Sequence, residues 1–555
     1  MNRIPIIIVF LLFGSNISSQ NLYLKIEGIT KSETTTIDSL DYTKIHANTK
    51  SIVAETNALS EKLSRMGYIA NNIQYNNKEN DSTFYFKYKL GNKTSFIHIY
   101  IGTNLQVQQL SLFDEKKDTI VMRYDEAETF LNQILGKLER KGFALAKLQL
   151  VDLVSHTNYV AANLQITINQ QRTLNDFVIN GYPKFPEGHK ANIKRLYSNK
   201  TFNQDNLKKV YNDFEKFRFV KQVKYPEILF EKDSTKIYVY LEKSKSNTFD
   251  GFIGFSNGED DKVRLNGYVD LVLNNILNTG EKFTLYWKSD GNDQKTFNAA
   301  IELPYIFKSP FGLKAQLNIF KQDSTFQNTK TAIDVGYFLK YSTRLYLGYQ
   351  STESSDIQNL NSTSISDFKN SFLTANVEYL DFKSVDFLFP EKTNFNIKAG
   401  FGSRNSKINR SDQFFVNIDL KHNMYLNEKN VINIKTQNFY LSSDDYIVNE
   451  LQRFGGINSI RGFNENSLQA NVFSALLTEY RYVITPGIYA HTIIDYGYYK
   501  DNTSKNSGSL LGLGFGLGLL TKTGLFNIVY ANGSTKEQAI KFSNSIVHIS
   551  FKTNF

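Results

Sequence analysis

The chain has 555 residues, a formal net charge of +10 and no cysteine, which excludes a disulfide framework, a thiolate metal site and a lipid-modified N-terminal cysteine. Mean hydropathy is −0.36 and no window of about 18 residues is apolar throughout, which excludes a helical membrane protein. A membrane β-barrel is not excluded, because only every second residue of its strands faces lipid, and the 43 Phe and 33 Tyr suit the aromatic girdles of such a barrel.

The N-terminus has the pattern of a secretory signal peptide. Arg3 supplies a positive charge, a short apolar run covers residues 4–13, and small or polar residues follow. The run is too short to cross a bilayer as a helix. The pattern predicts a signal peptide over residues 1–20, with cleavage near Ser19 or Gln20.

The next third of the chain is repetitive. The segments Leu63–Gly67, Leu138–Gly142 and Phe214–Arg218 each end a predicted helix, and they recur with a period of about 75 residues. In each repeat a strand that ends in glycine precedes the helix, and two strands follow it. Three small α+β domains are predicted, at residues 21–93, 94–171 and 172–246.

The helical pattern is clearest in the second repeat. Between Glu126 and Lys141 the apolar residues fall on one helix face. The segments 147–153 and 159–170 alternate as strands. In the first repeat, the stretch from Thr34 to Tyr42 is polar and irregular.

From Thr248 the helical periodicity disappears, and residues 247–555 read as a barrel domain of sixteen antiparallel transmembrane strands. Polar loops separate alternating segments. The predicted strands are 248–256, 263–275, 280–289, 295–304, 311–321, 328–339, 342–351, 370–382, 392–402, 412–425, 430–442, 470–484, 487–499, 508–520, 524–532 and 544–555.

The lengths of the connections support this count, because short turns and long loops should lie at opposite ends of a barrel. The long connections, Glu353–Lys369, Asn405–Asp412 and Ser443–Gln469, all fall on one predicted side. The connection 387–392 is the exception, since it is long for the turn side. In the strand 508–520, leucine and phenylalanine alternate with glycine, which predicts a glycine-lined inner wall with a bulky partner.

The most informative motif is the segment Arg453–Phe463, which contains Arg461-Gly462-Phe463 and lies in the sixth predicted loop. An Arg-Gly-aromatic motif at this place, downstream of α+β repeats, resembles the BamA/TamA superfamily of outer-membrane assembly and secretion proteins. The repeats resemble POTRA domains. The resemblance covers essentially the whole chain after the signal peptide, and it does not select a branch of the superfamily.

The resemblance implies that the sixth loop folds into the lumen and that its tip touches the barrel wall. An arginine placed there requires a carboxylate partner. Glu479 and Asp495, on inward positions of the next two strands, match acidic positions that pair with this loop in the superfamily. The predicted motif residues are Gly455, Gly456, Ile460, Arg461, Gly462 and Phe463.

The resemblance also implies where the protein is and what it meets. The last strand ends in Phe555, with Phe551 on the same face, and this end looks like the signal that barrel-assembly machinery recognises. The expected place is the outer membrane of a Gram-negative bacterium, with the POTRA domains in the periplasm. The expected partners are unfolded outer-membrane or secreted client proteins and outer-membrane lipids, with a periplasm-spanning partner left open. No cofactor, nucleotide or nucleic acid is expected.

No enzyme is predicted. Gly254 to Gly258 fits G-x-S-x-G, but a nucleophile elbow needs a helix after the turn, and another strand follows here. The seven histidines show no ligand spacing, and acids such as Asp444-Asp445 and Glu259-Asp260-Asp261 are interpreted as solvated loops, so neither catalytic nor metal-binding residues are predicted.

The functional hypothesis is an outer-membrane assembly factor. Clients would dock on POTRA sheet edges and pass to the seam between the first and last barrel strands. The alternative is a two-partner secretion transporter of the FhaC/ShlB, hemolysin-secretion type, which exports one dedicated protein. Such transporters usually carry two POTRA domains and a plug helix, so three repeats favour the first hypothesis. A passive porin or adhesin fits the repeats poorly.

Overall fold

The structure is a computed structural model, and its described residues fall into two compact units. One unit runs to Arg172 and includes Thr201–Gln204; the other comprises Thr173–Lys200 and Asp205–Phe555. The predicted signal peptide and the acids at 259–261 lie outside the described residues. The structure describes residues 21–102, 110, 112–113, 118–257, 263–290, 294–383, 386, 388–522, 524–541, 543 and 545–555.

The first sheet of the first unit has the strand order β2-β1-β4-β3. Its strands and helices are β1 (Leu22–Gly28), α1 (Lys31–Asp38), β2 (Ile45–His46), α2 (Thr49–Arg65), β3 (Asn72–Lys78) and β4 (Thr83–Lys89). The expectation of an irregular segment at 34–42 is wrong, because α1 covers its first half. A capping box between Thr30 and Glu33 starts this helix, and Ile37 alone is fully buried, which explains why a polar helix formed without an apolar stripe.

The second sheet has the order β6-β5-β8-β7. It contains β5 (Phe96–Tyr100), β6 (Thr119–Arg123), α3 (Ala127–Arg140), β7 (Lys147–Ser155) and β8 (Tyr159–Thr167), with a 3-10 turn at Tyr124–Glu126. The predicted helix face packs inward, where Ala127, Ile134 and Leu138 are buried against the sheet.

The third sheet belongs to the second unit and has the order β10-β11-β9. Its elements are β9 (Asp176–Asn180), α4 (Glu187–Tyr197), α5 (Gln204–Glu215), β10 (Val220–Phe230) and β11 (Thr235–Lys243). Strand β11 runs parallel to β9 and antiparallel to β10. Phe177, Ile193, Phe214 and Ile237 are buried between the helices and the sheet.

The rest of the second unit is a closed barrel of sixteen antiparallel strands, which confirms the predicted fold class. Large apolar side chains such as Leu347, Leu373 and Phe401 are exposed on its outer face. Among the described residues, no helix is long and apolar enough to cross a membrane. The strands are β12 (Thr248–Asn257), β13 (Val263–Asn274), β14 (Lys282–Asp290), β15 (Lys295–Leu303), β16 (Phe311–Gln322), β17 (Phe326–Lys340), β18 (Thr343–Asp356), β19 (Phe368–Phe382), β20 (Glu391–Ser406), β21 (Arg410–Tyr425), β22 (Asn430–Ser442), β25 (Val472–Thr485), β26 (Ile488–Asp501), β27 (Asn506–Leu520), β28 (Gly524–Thr535) and β29 (Ile546–Asn554).

Two predicted loops are shorter than expected, because the strands on either side continue beyond the part in which apolar and polar residues alternate. Strands β20 and β21 approach each other until only residues 407–409 remain between them, and β18 and β19 leave 357–367. The sixth loop, residues 443–471, is the long exception. It contains a 3-10 turn at Val448–Glu450 and a small hairpin of β23 (Gln452–Phe454) and β24 (Leu468–Ala470).

The third α/β domain packs against the short turns of the barrel through His189 of α4. The imidazole is fully buried, and its ring centroid lies 5.0 Å from that of Phe217 and 4.8 Å from that of Tyr305. Phe219 and Tyr341 complete the aromatic surround. Burial, reinforced by the charge of Arg344, lowers the pKa of His189 to about 3.

Two further side chains of α4 fix this contact. Asn192 Nδ2 donates to the carbonyl of Ser309 at 3.0 Å, and Arg195 Nη2 donates to the carbonyl of Phe338 at 3.2 Å. Ser309 lies in a barrel turn, and Phe338 lies near the turn end of β17. The domain therefore sits at the turn end of the barrel, as the parity of the connections requires.

Candidate functional site

The sixth loop is folded against the inner wall of the barrel. Phe454 and Ile460 of the loop are buried in an apolar cluster with Phe473 and Leu477 of β25 and Leu510 of β27. Burial of apolar side chains of this size stabilises the contact by roughly 1.5–3 kcal/mol each. Phe463 packs at the edge of the same cluster. Apolar packing thus holds the loop in the lumen independently of any ion pair.

Arg461 at the loop tip is surrounded by carboxylates of the wall. Its Nε and Nη2 donate to the two oxygens of Asp495 at 2.8 and 2.6 Å, and its backbone N–H donates to Asp495 at 3.0 Å. Its Nη1 donates to Glu479. Arg461 is 6% exposed and Asp495 is fully buried. The geometry is a bidentate fork with a second carboxylate, which fixes the orientation of the tip.

The carboxylate of Glu479 has other partners that the sequence analysis missed. Arg481 Nε and Nη2 contact its second oxygen at 2.7 and 2.6 Å, and His491 Nδ1 lies 3.8 Å away. Arg481 follows Glu479 by two positions on one strand, so both side chains face the same side. This alternation of side chains along the strand could have identified Arg481 from the sequence. The result is an Arg461–Glu479–Arg481 row with Asp495 beside it.

Close backbone packing at the tip depends on glycine. Gly462 has φ +87°, and a Cβ there would collide with the backbone of Asn532 and Gly533. On the facing strand, a Cβ at Gly512 would collide with the carbonyl of Arg461. The predicted glycine wall meets the tip at Gly512 only, because Gly516 packs against His491 further down the strand. Gly455 and Gly456, both with positive φ, lie beside the residues that follow the tip.

The limb that enters the loop is anchored on a different part of the wall, by Arg404 of β20. This guanidinium is fully buried, and it contacts Glu450 Oε1 at 2.5 Å and Asp445 Oδ2 at 2.7 Å. Asn449 donates to Ser354 Oγ at 2.8 Å. Asp445 remains partly exposed, and its carboxylate also pairs with the buried Arg404. Among the described residues, no three His, Cys, Asp or Glu side chains are grouped to hold a metal ion.

A third contact carries the loop across the lumen. Tyr286 OH donates to Glu465 Oε1 at 2.9 Å, and Lys288 forms an ion pair with the same carboxylate. Tyr286 and Lys288 stand on β14, which is not a neighbour of β26 in the barrel. The loop therefore bridges the interior between two well-separated parts of the wall.

The seam between the first and last barrel strands is the second part of the candidate site. Strands β12 and β29 are joined by two residue pairs, Thr248 with Asn554 and Phe249 with Thr553. By comparison, β28 and β29 share eight pairs and β12 and β13 share ten. Beyond the two pairs, the described residues of both edges lack a cross-seam partner strand.

The C-terminal residues of the predicted assembly signal lie at this seam. Phe551 and Phe555 are both exposed, and the backbone N–H of Phe555 donates to the carbonyl of Asn247 at 3.0 Å. The N–H of Phe551 donates to the side chain of Asp250 at 3.3 Å. In a paired strand, its acceptor would be a backbone carbonyl of the neighbouring strand.

No protein-family model and no curated protein sequence matches the chain. Among solved structures, CdiB from Acinetobacter baumannii is 14% identical with a TM-score of 0.52, over 83% of this chain and 90% of that chain. CdiB from Escherichia coli is 12% identical with a TM-score of 0.51, over 90% and 98%.

A BamA from Haemophilus ducreyi that lacks POTRA domains 1–3 is 15% identical with a TM-score of 0.48, over 82% of this chain and 99% of that chain. Both CdiB matches, at 83% and 90% of this chain, extend beyond the barrel. At these identities the likeness concerns the fold, and the resemblance stated from the sequence is confirmed at that level. The chain shares its fold with the two CdiB structures.

Proposed function

We propose that this chain is an outer-membrane assembly factor of a Gram-negative bacterium, with its α/β domains in the periplasm. It docks client polypeptides on those domains and inserts or translocates them at the outer membrane through the barrel and its seam. The observation that carries the proposal is the seam, which has two residue pairs where the adjoining strand pairs have eight and ten.

A short seam matters because of the solvent around it. An unpaired backbone N–H or C=O group costs several kcal/mol in hydrocarbon. A strand edge inside a bilayer must therefore pair with another strand. An opening seam offers such edges on β12 and β29, and a client strand satisfies them while satisfying its own. Insertion then needs no nucleotide, since the folding of the client supplies the free energy.

The sheet edges of the α/β domains support docking. Strands β3, β7 and β10 each lie at the edge of their sheet. Exposed apolar side chains occur on all three edges, for example Ile73 on β3, Leu153 on β7 and Val223 on β10. Edge strands of this kind accept an added strand from another chain. Each of the three edges also carries a register irregularity, which limits unselective pairing.

In this proposal the sixth loop holds the barrel in its competent state. Arg461, Glu479 and Asp495 fasten the tip, while Arg404 fastens the entering limb. The alternative, export of one dedicated secreted protein through the lumen, requires the whole loop to leave its three contacts. The presence of three α/β sheets in front of the barrel favours the assembly factor.

One experiment separates the two functions. The protein is depleted, and the cells receive wild type, no protein, or a variant with Phe249→Cys and Thr553→Cys across the seam. The chain has no cysteine, so these are its only thiols. The outer-membrane and secreted proteomes are then quantified, with and without reductant. We expect several barrel proteins to be lost on depletion and on locking, and to return with reductant.

The matched control pairs Ile528→Cys with Ile549→Cys, which are partners on β28 and β29. That crosslink leaves the seam free and should restore the barrel proteins without reductant. Loss of one large secreted protein on depletion, with its export restored by the locked seam, would replace the proposal by the lumenal exporter.

A further inference from the structure

The seam starts as an ordinary antiparallel ladder and then stops. Where β12 follows the third α/β domain, the backbone N–H of Phe555 donates to the carbonyl of Asn247 at 3.0 Å. Both strands continue well past this point, β12 to Asn257 and β29 back to Ile546, so the ladder does not stop because a strand ends. The residue pairs that follow the first bond are Thr248 with Asn554 and Phe249 with Thr553.

The first missing step of the ladder concerns the N–H of Phe551. In an antiparallel pair, hydrogen-bonded positions recur at every second residue. Asn247 and Phe555 form such a position. The same register therefore assigns the N–H of Phe551 to the carbonyl of Gly251. It donates instead to Oδ1 of Asp250, one residue earlier on β12, at 3.3 Å. A side chain thus takes the bond that the backbone would have taken.

Asp250 is held in this position from the neighbouring strand. The hydroxyl of Tyr268, on β13, donates to the same carboxylate oxygen at 2.6 Å. Because a charged acceptor binds an N–H more strongly than a neutral one does, Asp250 competes well with the carbonyl of Gly251. Gly251 itself lies close against β13, since a Cβ there would be 2.4 Å from the carbonyl oxygen of Tyr268. Strand β12 is therefore fastened to β13 at the point where its pairing with β29 stops.

The last residue pair of the seam carries a second bond of this kind. The hydroxyl of Thr553 donates to the carbonyl of Phe249 at 3.2 Å. Each strand thus contributes one side chain that bonds to the backbone of the other. Because an unsatisfied backbone group is costly in hydrocarbon, these bonds allow the ladder to end here without leaving its last groups unpaired.

We infer that Asp250 ends the pairing of the seam after two residue pairs, because it accepts the Phe551 N–H that would continue the ladder. Asp250 is a positioning residue for the barrel edge, and it acts through a hydrogen-bond acceptor and not through its charge. The inference deepens the proposed function and rests on it for its consequence, since an unfinished ladder preserves the strand edges that a client strand would pair with.

The test measures how far the seam pairs in the full-length purified protein in lipid vesicles. The natural chain has no cysteine, so an introduced pair can form one disulfide only. Phe252→Cys with Ser550→Cys reports on further closure, because these positions would be directly opposite if the existing register continued. Phe249→Cys with Thr553→Cys reports on the pair that already exists. After oxidation, we expect a low disulfide yield for the 252–550 pair and a high yield for the 249–553 pair.

Substitutions of Asp250 are then compared in the 252–550 background. Asp250→Ala removes the acceptor, so the Phe551 N–H should bond to the carbonyl of Gly251, and the disulfide yield should rise severalfold. Asp250→Asn keeps a side-chain oxygen and should leave the yield low. The matched control is Asp270→Ala, which removes the carboxylate directly opposite Asp250 on β13 and should also leave the yield low. Unboiled gel mobility checks that each barrel is folded.

Three results would overturn the inference. The first is a 252–550 yield as high as the 249–553 yield while Asp250 is still present. The second is an unchanged yield in folded Asp250→Ala or, if that variant does not fold, in Tyr268→Phe, which releases the carboxylate from β13 and should raise the yield. The third is an equal rise in Asp250→Asn or Asp270→Ala.

The crosslinks need no client, so they test the role of Asp250 separately from the proteome experiment. If Asp250→Ala closes the seam and lowers the amounts of barrel proteins in cells, both the inference and the proposed function are supported. If the seam closes and those amounts do not change, the role of Asp250 stands and the proposed use of the seam is contradicted.

Discussion

Arg461 and Arg404 are both buried, and each is compensated by two carboxylates. A buried charge loses its hydration, and the loss is tolerable only when hydrogen bonds of good geometry replace it. Arg461 satisfies this with a bidentate contact to Asp495, and Arg404 with separate contacts to Asp445 and Glu450. In the first case the loop supplies the cation, and in the second the wall supplies it.

Replacement of Arg461 by alanine should destabilise the closed loop strongly. Asp495 would remain buried without a counter-charge, and breaking a buried pair of this kind costs about 3–5 kcal/mol. Arg461→Lys should recover little, because an ammonium cannot form the bidentate contact. The temperature at which the folded barrel is lost, followed by unboiled gel mobility, measures the effect.

Arg453→Ala is the control for this prediction. Arg453 lies on the same loop and stacks over Phe326, at 5.6 Å from the ring centroid, with no carboxylate in ion-pair distance among the described residues. Its removal should shift the transition far less. Equal shifts for Arg453→Ala and Arg461→Ala would show that the carboxylate contacts add nothing to loop packing.

The sequence shows part of this arrangement. Arg461 can be recognised from the sequence because it belongs to a short motif. Glu479 and Asp495 can be recognised because each is an isolated acid on an apolar strand. Arg404 cannot, since its partners lie 41 and 46 positions away in a loop whose path is set by packing. These sequence separations match neither the helix period nor the strand period, so the pattern of the sequence does not indicate the contacts.

At the scale of elements, the sixth loop has two anchors at separate places along the chain, and Glu465 adds a contact to β14 just after the second. Residues 445–450 are tied to β18 and β20, and residues 460–463 are tied to β25 through β28. Strand β23 lies between these anchors along the chain, and its partner β24 follows the second one. One end can therefore open while the other remains attached.

Single-cysteine reporters test this separation, because the natural chain has no thiol. Ile447→Cys reports on the entering limb and Ser459→Cys on the tip, and both positions are buried. We expect Arg404→Ala to increase maleimide labelling at position 447 and leave 459 protected. Arg461→Ala should do the reverse. Parallel labelling of both reporters in both variants would mean that the loop moves as one body.

The elements themselves were largely predictable. Strand alternation in a lipid environment is strict, so the sixteen barrel strands follow from the sequence within a few residues. The ends of the strands were not predictable, because β20 and β21 continue through polar residues after the apolar–polar alternation stops. Helix α1 was missed because its stability comes from a capping box and one buried isoleucine, with no amphipathic stripe to recognise.

At the scale of the second unit, the third α/β domain and the barrel are joined through a histidine without a hydrogen-bond partner on either ring nitrogen among the described residues. A neutral imidazole can pack among aromatic rings as an aromatic group does, but an imidazolium in that place would lose its hydration without compensation. The contact therefore depends on the protonation state of His189, which burial keeps neutral.

Acid should weaken the attachment of this domain. The pKa of His189 is lowered to about 3 when docked, against about 6.5 when free, so the undocked form binds the proton more readily. The stabilisation is complete above about pH 6.5 and falls by about 1.4 kcal/mol, or tenfold in the docking equilibrium, for each pH unit between 6.5 and 3. Hydrogen exchange of α4, corrected for intrinsic rates, should accelerate at pH 5 relative to pH 7. His189→Phe keeps the aromatic packing without the titration and should remove the difference; an unchanged acceleration in that variant would assign the acid sensitivity to another group.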